Sequence, residues 1–183
     1  MISPTPAPAT SRRFGAFAMV LGVMVLAGCT PSPAPKPTPT AAFASEEEAF
    51  AAAEETYRAY TDALNSVDLG DPGTFGPVFD LTSGDFEAAD RKTLSELHAK
   101  NYAFTGTMTV AGFDGIRTVP PFERVEAAVC VDVSHSDVVD QSGNPVTSPD
   151  RPDLNPLRVT FVFSGGHMNI DRADRDTDLA CAG

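Results

Sequence analysis

The stretch SEEEAFAAAEETYRAYTDAL, residues 45–64, decides the fold. Ser45 followed three positions later by Glu48 forms a capping box, in which hydroxyl and carboxylate satisfy backbone N–H groups that a helix start leaves free. Glu46, Glu47 and Glu48 put negative charge at the positive end of the helix dipole. Behind the cap, Phe50, Ala53, Tyr57, Tyr60 and Leu64 recur at spacings of three and four, so one face of a helix is apolar. Glu54 and Arg58, at i and i+4, add a surface pair worth ~0.3 kcal/mol. Gly70, Pro72 and Gly73 end the helix.

Downstream, a short helix or turn is expected over residues 75–81, with Gly76 and Pro77 near its start. Thr82-Ser83-Gly84-Asp85 then breaks the chain and caps a third helix over 86–100, whose inner side uses Phe86, Ala89, Leu94 and Leu97. After it the period drops to two. Tyr102, Phe104, Met108 and Val110 alternate with Thr105, Thr107 and Thr109, which predicts a half-buried strand over 102–113. Asp114-Gly115 reads as a turn, and a loop around Pro120 and Pro121 leads to a second strand through Val125, Ala127, Val129, Val131 and Val133. A loop over 142–156, a strand over 157–163 and a Ser164-Gly165-Gly166-His167 hairpin into 168–171 complete the pattern. Helices first and antiparallel strands second specify an α+β domain with its helices on one face of the sheet.

Upstream, Arg12 and Arg13 precede an uncharged apolar run over 14–27 that ends in small residues, the order of a secretory signal. The run is short of the ~20 residues that span a bilayer as a helix. Its end, Leu26-Ala27-Gly28-Cys29, resembles the lipobox of bacterial lipoproteins. That resemblance implies cleavage between Gly28 and Cys29, which makes Cys29 the new, lipid-modified N-terminus, its thiol carrying diacylglycerol through a thioether, with palmitate among the acyl chains. The domain would then be anchored, extracytoplasmic, to the outer leaflet of the cell membrane. Each buried methylene adds ~0.8 kcal/mol, so two or more chains make a durable anchor. Ser11-Arg12-Arg13 is similar to a twin-arginine signal, but Gly15 sits where that motif has a bulky apolar residue, and both export routes stay open. Pro31, Pro33, Pro35, Pro37 and Pro39 alternate with other residues and favour polyproline II at ~3.1 Å per residue, a spacer. The expected organisation is a signal peptide over 1–28, a Pro-rich tether over 29–44 and one α+β domain over 45–183.

Charge and cysteines narrow the function. With 25 acidic and 13 basic side chains and a net charge of −12, the chain lacks the clustered cations that nucleic acid requires. Of three cysteines, lipid on Cys29 leaves Cys130 and Cys181, for which a disulfide is the preferred reading in an oxidising compartment. Two buried free thiols are the alternative.

The order of elements, with stretches such as Ala49-Phe50, Tyr57-Arg58-Ala59-Tyr60 and Val129-Cys130-Val131-Asp132-Val133, resembles the NTF2-like, or cystatin-like, cone. Together with the lipobox, the chain is similar to lipoproteins of Gram-positive bacteria. The resemblance implies a curved sheet wrapped around the helices with a cavity between, and Tyr57 and Tyr60 as residues that could face it. It also implies that a homodimer through the sheet face is open. Enzymatic members, ketosteroid isomerases and polyketide cyclases, carry acid, base or oxyanion-stabilising groups inside the cone. Here no Asp or His is matched to the tyrosines, so no catalytic residue is assigned. The family's short strand between the helices is not located between residues 70 and 85.

Other constellations read as structural. His98, His135 and His167 lie far apart, with no HxH or HxxxH spacing, so no metal is expected. Asp174, Asp176 and Asp178 open like a calcium loop, but Leu179 stands where that loop needs glycine. No G-x-S-x-G occurs, and Gly165-Gly166 lacks the Lys of a phosphate loop. The expectation is a membrane-anchored, non-catalytic binding domain, without cofactor, for an envelope protein or a small apolar ligand. The alternative is an isomerase- or cyclase-type enzyme.

Overall fold

The computed structural model describes residues 41–181; the segments expected to be a signal peptide and a tether, with Gly28 and Cys29, lie wholly or mostly outside the described residues. The first helix, α1, spans Glu46–Asn65. Ser45 is extended and its hydroxyl accepts from Glu48 N at 3.3 Å, while Glu48 accepts from the backbone of Ala44, one residue before the cap, at 2.8 Å. Asp71 caps a 3-10 turn at Pro72–Phe75, which runs directly into the short α2, Gly76–Phe79. The third helix, α3, covers Gly84–Ala99. Its Ser83 does not cap it, because the hydroxyl is committed to Asp171 Oδ1 at 3.3 Å.

Six strands follow: β1 Ala103–Gly106, β2 Thr109–Thr118, β3 Arg124–Asp132, β4 Ser136–Val139, β5 Leu154–Ser164 and β6 His167–Arg175. The main sheet is antiparallel in the order β2-β3-β5-β6, and β1 pairs with β4 in a separate two-stranded sheet. Register shifts in β2 against β3 and at Thr160/Phe161 mark irregularities of the kind that bend a sheet.

The structure corrects the expected strands in three places. The single strand over 102–113 is two, because the chain turns at Gly106, where φ is +69° and a Cβ would stand 1.7 Å from the His135 carbonyl oxygen. Only glycine fits, and the turn sends β1 to β4, a strand the sequence reading missed. Asp114-Gly115 is not a turn but lies inside β2, where Phe50 of α1 packs so closely that a Cβ on Gly115 would meet its ring at 2.6 Å. The reversal comes later, at Val119–Phe122, with a cis Pro120-Pro121 bond. Finally, β5 starts inside the expected Pro-rich loop, with Pro156 opposite Cys130 and its carbonyl accepting from Asp176 N at 3.1 Å.

The short strand between the helices is reduced to one bridge. Thr82 lies parallel to Ile170, held by Ser83 N to Ile170 O at 2.8 Å and Ile170 N to Leu81 O at 2.9 Å.

Alternation along β3 sends Val125, Ala127, Val129 and Val131 inward against Ala49, Ala53, Tyr57 and Tyr60 of α1. Phe161 of β5 and Ile170 of β6 complete this layer, both fully buried, a burial worth ~1.5–3 kcal/mol per large apolar side chain. Phe43 joins the fold through an edge-on contact with Phe163 at 5.2 Å. On the outer face, Glu126 accepts from Arg117 at 3.0 Å and from Arg158 at 2.8 Å, and Arg158 also reaches Asp176 at 2.8 Å. A Cys130–Cys181 disulfide, closing a separation of 51 residues, ties the C-terminal segment to β3.

Candidate functional site

Residues three apart on a helix share a face, so Tyr57 and Tyr60 enter the interior together, with ring centroids 5.8 Å apart. Tyr57 meets Phe161 at 6.3 Å and Tyr60 meets Phe86 of α3 at 5.6 Å. Beside them lies a cavity of about 220 Å³ whose walls include Leu64, Phe86, Met108, Val131 and Leu157. Both tyrosines singled out in α1 line it.

Two polar groups were not singled out by sequence, one behind Tyr60 and outside the cavity lining, the other in that lining. The first is Asp90 of α3, whose Oδ2 accepts from the Tyr60 hydroxyl at 3.0 Å. Burial pushes its carboxyl up to about 6, against the opposing pull of the Tyr60 hydrogen bond. Burial also raises both tyrosines well above the usual phenol range, with the Asp90 charge adding to it. A signal existed: Phe86, Asp90, Leu94 and Leu97 follow one another at helical spacing, an acid on an apolar stripe. The second is Asn155 of β5, opposite Val131 and in the alternating row that includes the buried Val159 and Phe161. Its Oδ1 is the one buried side-chain polar atom among the described residues that has no hydrogen-bond partner. An acid that ionises near pH 6 beside a phenol can take or give a proton under ordinary conditions.

The remaining sequence candidates are not gathered here. His98 Nδ1 lies 2.7 Å from Leu69 O, His135 Nδ1 lies 2.9 Å from Ser134 Oγ, and His167 starts β6. Asp174 is held by Arg172 and Asp176 by Arg158, so two of the three alternating acids are pulled to different partners. Cys130 and Cys181 sit on the outer side of the sheet. A larger groove of about 530 Å³ opens between the start of α3 and β6, but its cations are matched by acids, Arg124 with Asp171 at 3.9 Å and Arg172 with Asp174.

No family model and no curated protein matches the chain. Among solved structures it is similar to a candidate aromatic ring hydroxylase from Novosphingobium aromaticivorans, 14% identical, over 76% of this chain and 95% of that one, with a TM-score of 0.53. It is also similar to the intermembrane space region of the chloroplast protein ARC6, 13% identical, over 69% of this chain and 95% of that one, with a TM-score of 0.50. These likenesses show the fold: an α+β domain with helices packed on a curved antiparallel sheet. Fold alone carries no activity.

Proposed function

We propose that the cone binds a small, largely apolar molecule, in a domain held at the outer face of the cell membrane by lipid on Cys29. The observation that carries the binding reading is the cavity of about 220 Å³ between α1, α3 and the sheet, walled by aromatic and aliphatic side chains with a few polar groups. That composition is the one small-molecule sites share. Native mass spectrometry of the purified chain tests it: the expected result is an adduct that survives gentle ionisation and is lost on denaturation. Ala173, which lines the cavity, offers the control, since Ala173→Leu fills the space and removes the adduct. An adduct retained in that variant would place the ligand elsewhere.

Anchoring is supported by the Leu26-Ala27-Gly28-Cys29 sequence at the end of the apolar run. Cys29→Ser should move the protein from the membrane fraction to the soluble one and abolish incorporation of labelled palmitate.

Asp90 favours a second reading, acid-base catalysis of the isomerase or cyclase kind. Asp90→Asn keeps an oxygen for Tyr60 but carries no titratable proton. An enzyme would keep the adduct and lose turnover, whereas a pure binder would show no turnover in either form.

A further inference from the structure

The turn at Gly106 that separates β1 from β2 also makes room. β1 and β4 pair apart from the main sheet, and between them and the end of α1 lies a second cavity, of about 130 Å³. Phe104 and Val138 give it apolar wall, and Thr105, Ser136, Asp137 and Arg151 give it polar wall. Leu64 and Met108 line this cavity and the cone cavity alike, so these two side chains stand between the spaces. Met108 is pinned by its backbone alone: Asn65 Nδ2 donates to Met108 O at 2.9 Å, and Met108 N donates to Asn65 Oδ1 at 2.9 Å. Beyond that clamp its unbranched thioether has three rotatable bonds and repacks readily.

Size and charge restrict what could use both spaces. Both are partly open and mixed in lining, with Tyr57, Tyr60 and Thr61 on the cone side. A cavity of ~150 Å³ holds the six carbons of benzene, roughly 25 Å³ per carbon. On that scale the 220 Å³ of the cone cavity takes about nine non-hydrogen atoms, and a longer molecule must pass Met108. In the second cavity a carboxylate, Asp137, and a guanidinium, Arg151, share the wall. Neither sign of charge is favoured there, and an ionised head would lose its hydration without compensation. A hydroxyl, which both donates and accepts, can use either group.

We propose that Met108 is a movable partition and that the two cavities together take a neutral, single-chain alcohol of about ten carbons. Its tail lies beside Tyr57 and Tyr60, and its hydroxyl lies past Met108 near Asp137 and Arg151. This rests on the reading of the cone as a ligand cavity, and the test separates the two. Dissociation constants of 1-hexanol, 1-decanol and decanoate are measured by calorimetry on the full-length chain, on Met108→Phe and on Thr105→Phe. 1-Hexanol fits the cone cavity alone, whereas 1-decanol needs both. Each methylene that reaches apolar wall tightens binding by about fourfold, so 1-decanol should bind the wild-type chain at least about twentyfold tighter than 1-hexanol. Decanoate should bind at least about tenfold more weakly than 1-decanol. Met108→Phe puts a stiff ring in the partition, and Thr105→Phe narrows the second cavity from an exposed strand position. In each variant 1-decanol should weaken at least about tenfold while 1-hexanol stays within about twofold.

1-Decanol binding no tighter than 1-hexanol overturns the joined cavities and leaves the cone cavity standing. Unchanged 1-decanol affinity in both variants does the same, and Thr105→Phe decides if Met108→Phe does not fold. Decanoate binding as tightly as 1-decanol overturns the neutral head group. Failure of both alcohols to bind overturns the proposal and the cavity reading together.

Discussion

Asp90→Asn should abolish a specific pH dependence of stability. The Asp90 carboxyl, ordinarily at 3.8, is pushed up to about 6 in the folded chain by burial. The folded state therefore holds this proton more tightly than the unfolded state does. The resulting stabilisation is complete below pH ~4 and is lost as pH rises through about 6. At 1.36 kcal/mol per unit the gap corresponds to ~3 kcal/mol, and the partial exposure of Asp90 brings the expected figure to about 2. With roughly 3 °C of melting temperature per kcal/mol for a domain of this size, the effect is about 6 °C. The assay is thermal unfolding followed by circular dichroism, for wild type and Asp90→Asn, at several pH values from 4 to 7.5. Glu126, Asp132, Asp137, Asp140 and Asp176 are held below their ordinary range by hydrogen bonds and titrate the other way. They are common to both proteins, so they cancel in the difference. The melting temperature of the variant minus that of wild type should rise by about 6 °C between pH 4 and 7.5. A difference that stays flat within ~1 °C would refute the reasoning, because Asp90 would then titrate as an exposed acid does.

Gly106→Ala meets both a left-handed backbone and the His135 carbonyl 1.7 Å from the new Cβ; urea unfolding should show a loss above ~3 kcal/mol, the range of strained backbone positions. Replacing Cys130 and Cys181 together by Ser frees a separation of 51 residues and should cost ~4 kcal/mol on the chain-entropy estimate, read from the denaturant midpoint. Phe161→Ala removes a fully buried ring and should cost about 3–5 kcal/mol in the same measurement.

Much of this architecture is written in local chemistry. The start of α1 could be read because Ser45, Glu48 and the apolar stripe agree, and β3 because four inward residues, Val125, Ala127, Val129 and Val131, alternate without interruption. Where the reading failed, the deciding contact is remote. Gly106 breaks a strand because of His135, far along the chain, and nothing in the neighbourhood of Gly106 announces it. Asp114-Gly115 has the local chemistry of a turn, yet packing against Phe50 keeps it in a strand. In the site, Tyr57 and Tyr60 were visible by their spacing. Asp90 was passed over because an acid is not counted when an apolar stripe is sought, and Asn155 because the prolines around it signalled a loop.

The run of Arg117, Glu126, Arg158 and Asp176 across the outer face alternates in sign and sums to zero. The chain as a whole carries −12, so most approaches to it by another acidic surface meet repulsion. Over this patch the opposing charges cancel within a few ångströms, well inside the ~8 Å over which salt screens a field. It is an electrically quiet window on a net negative molecule, and two copies, or a copy and an anionic neighbour, repel each other less across it than across a face of unpaired acids.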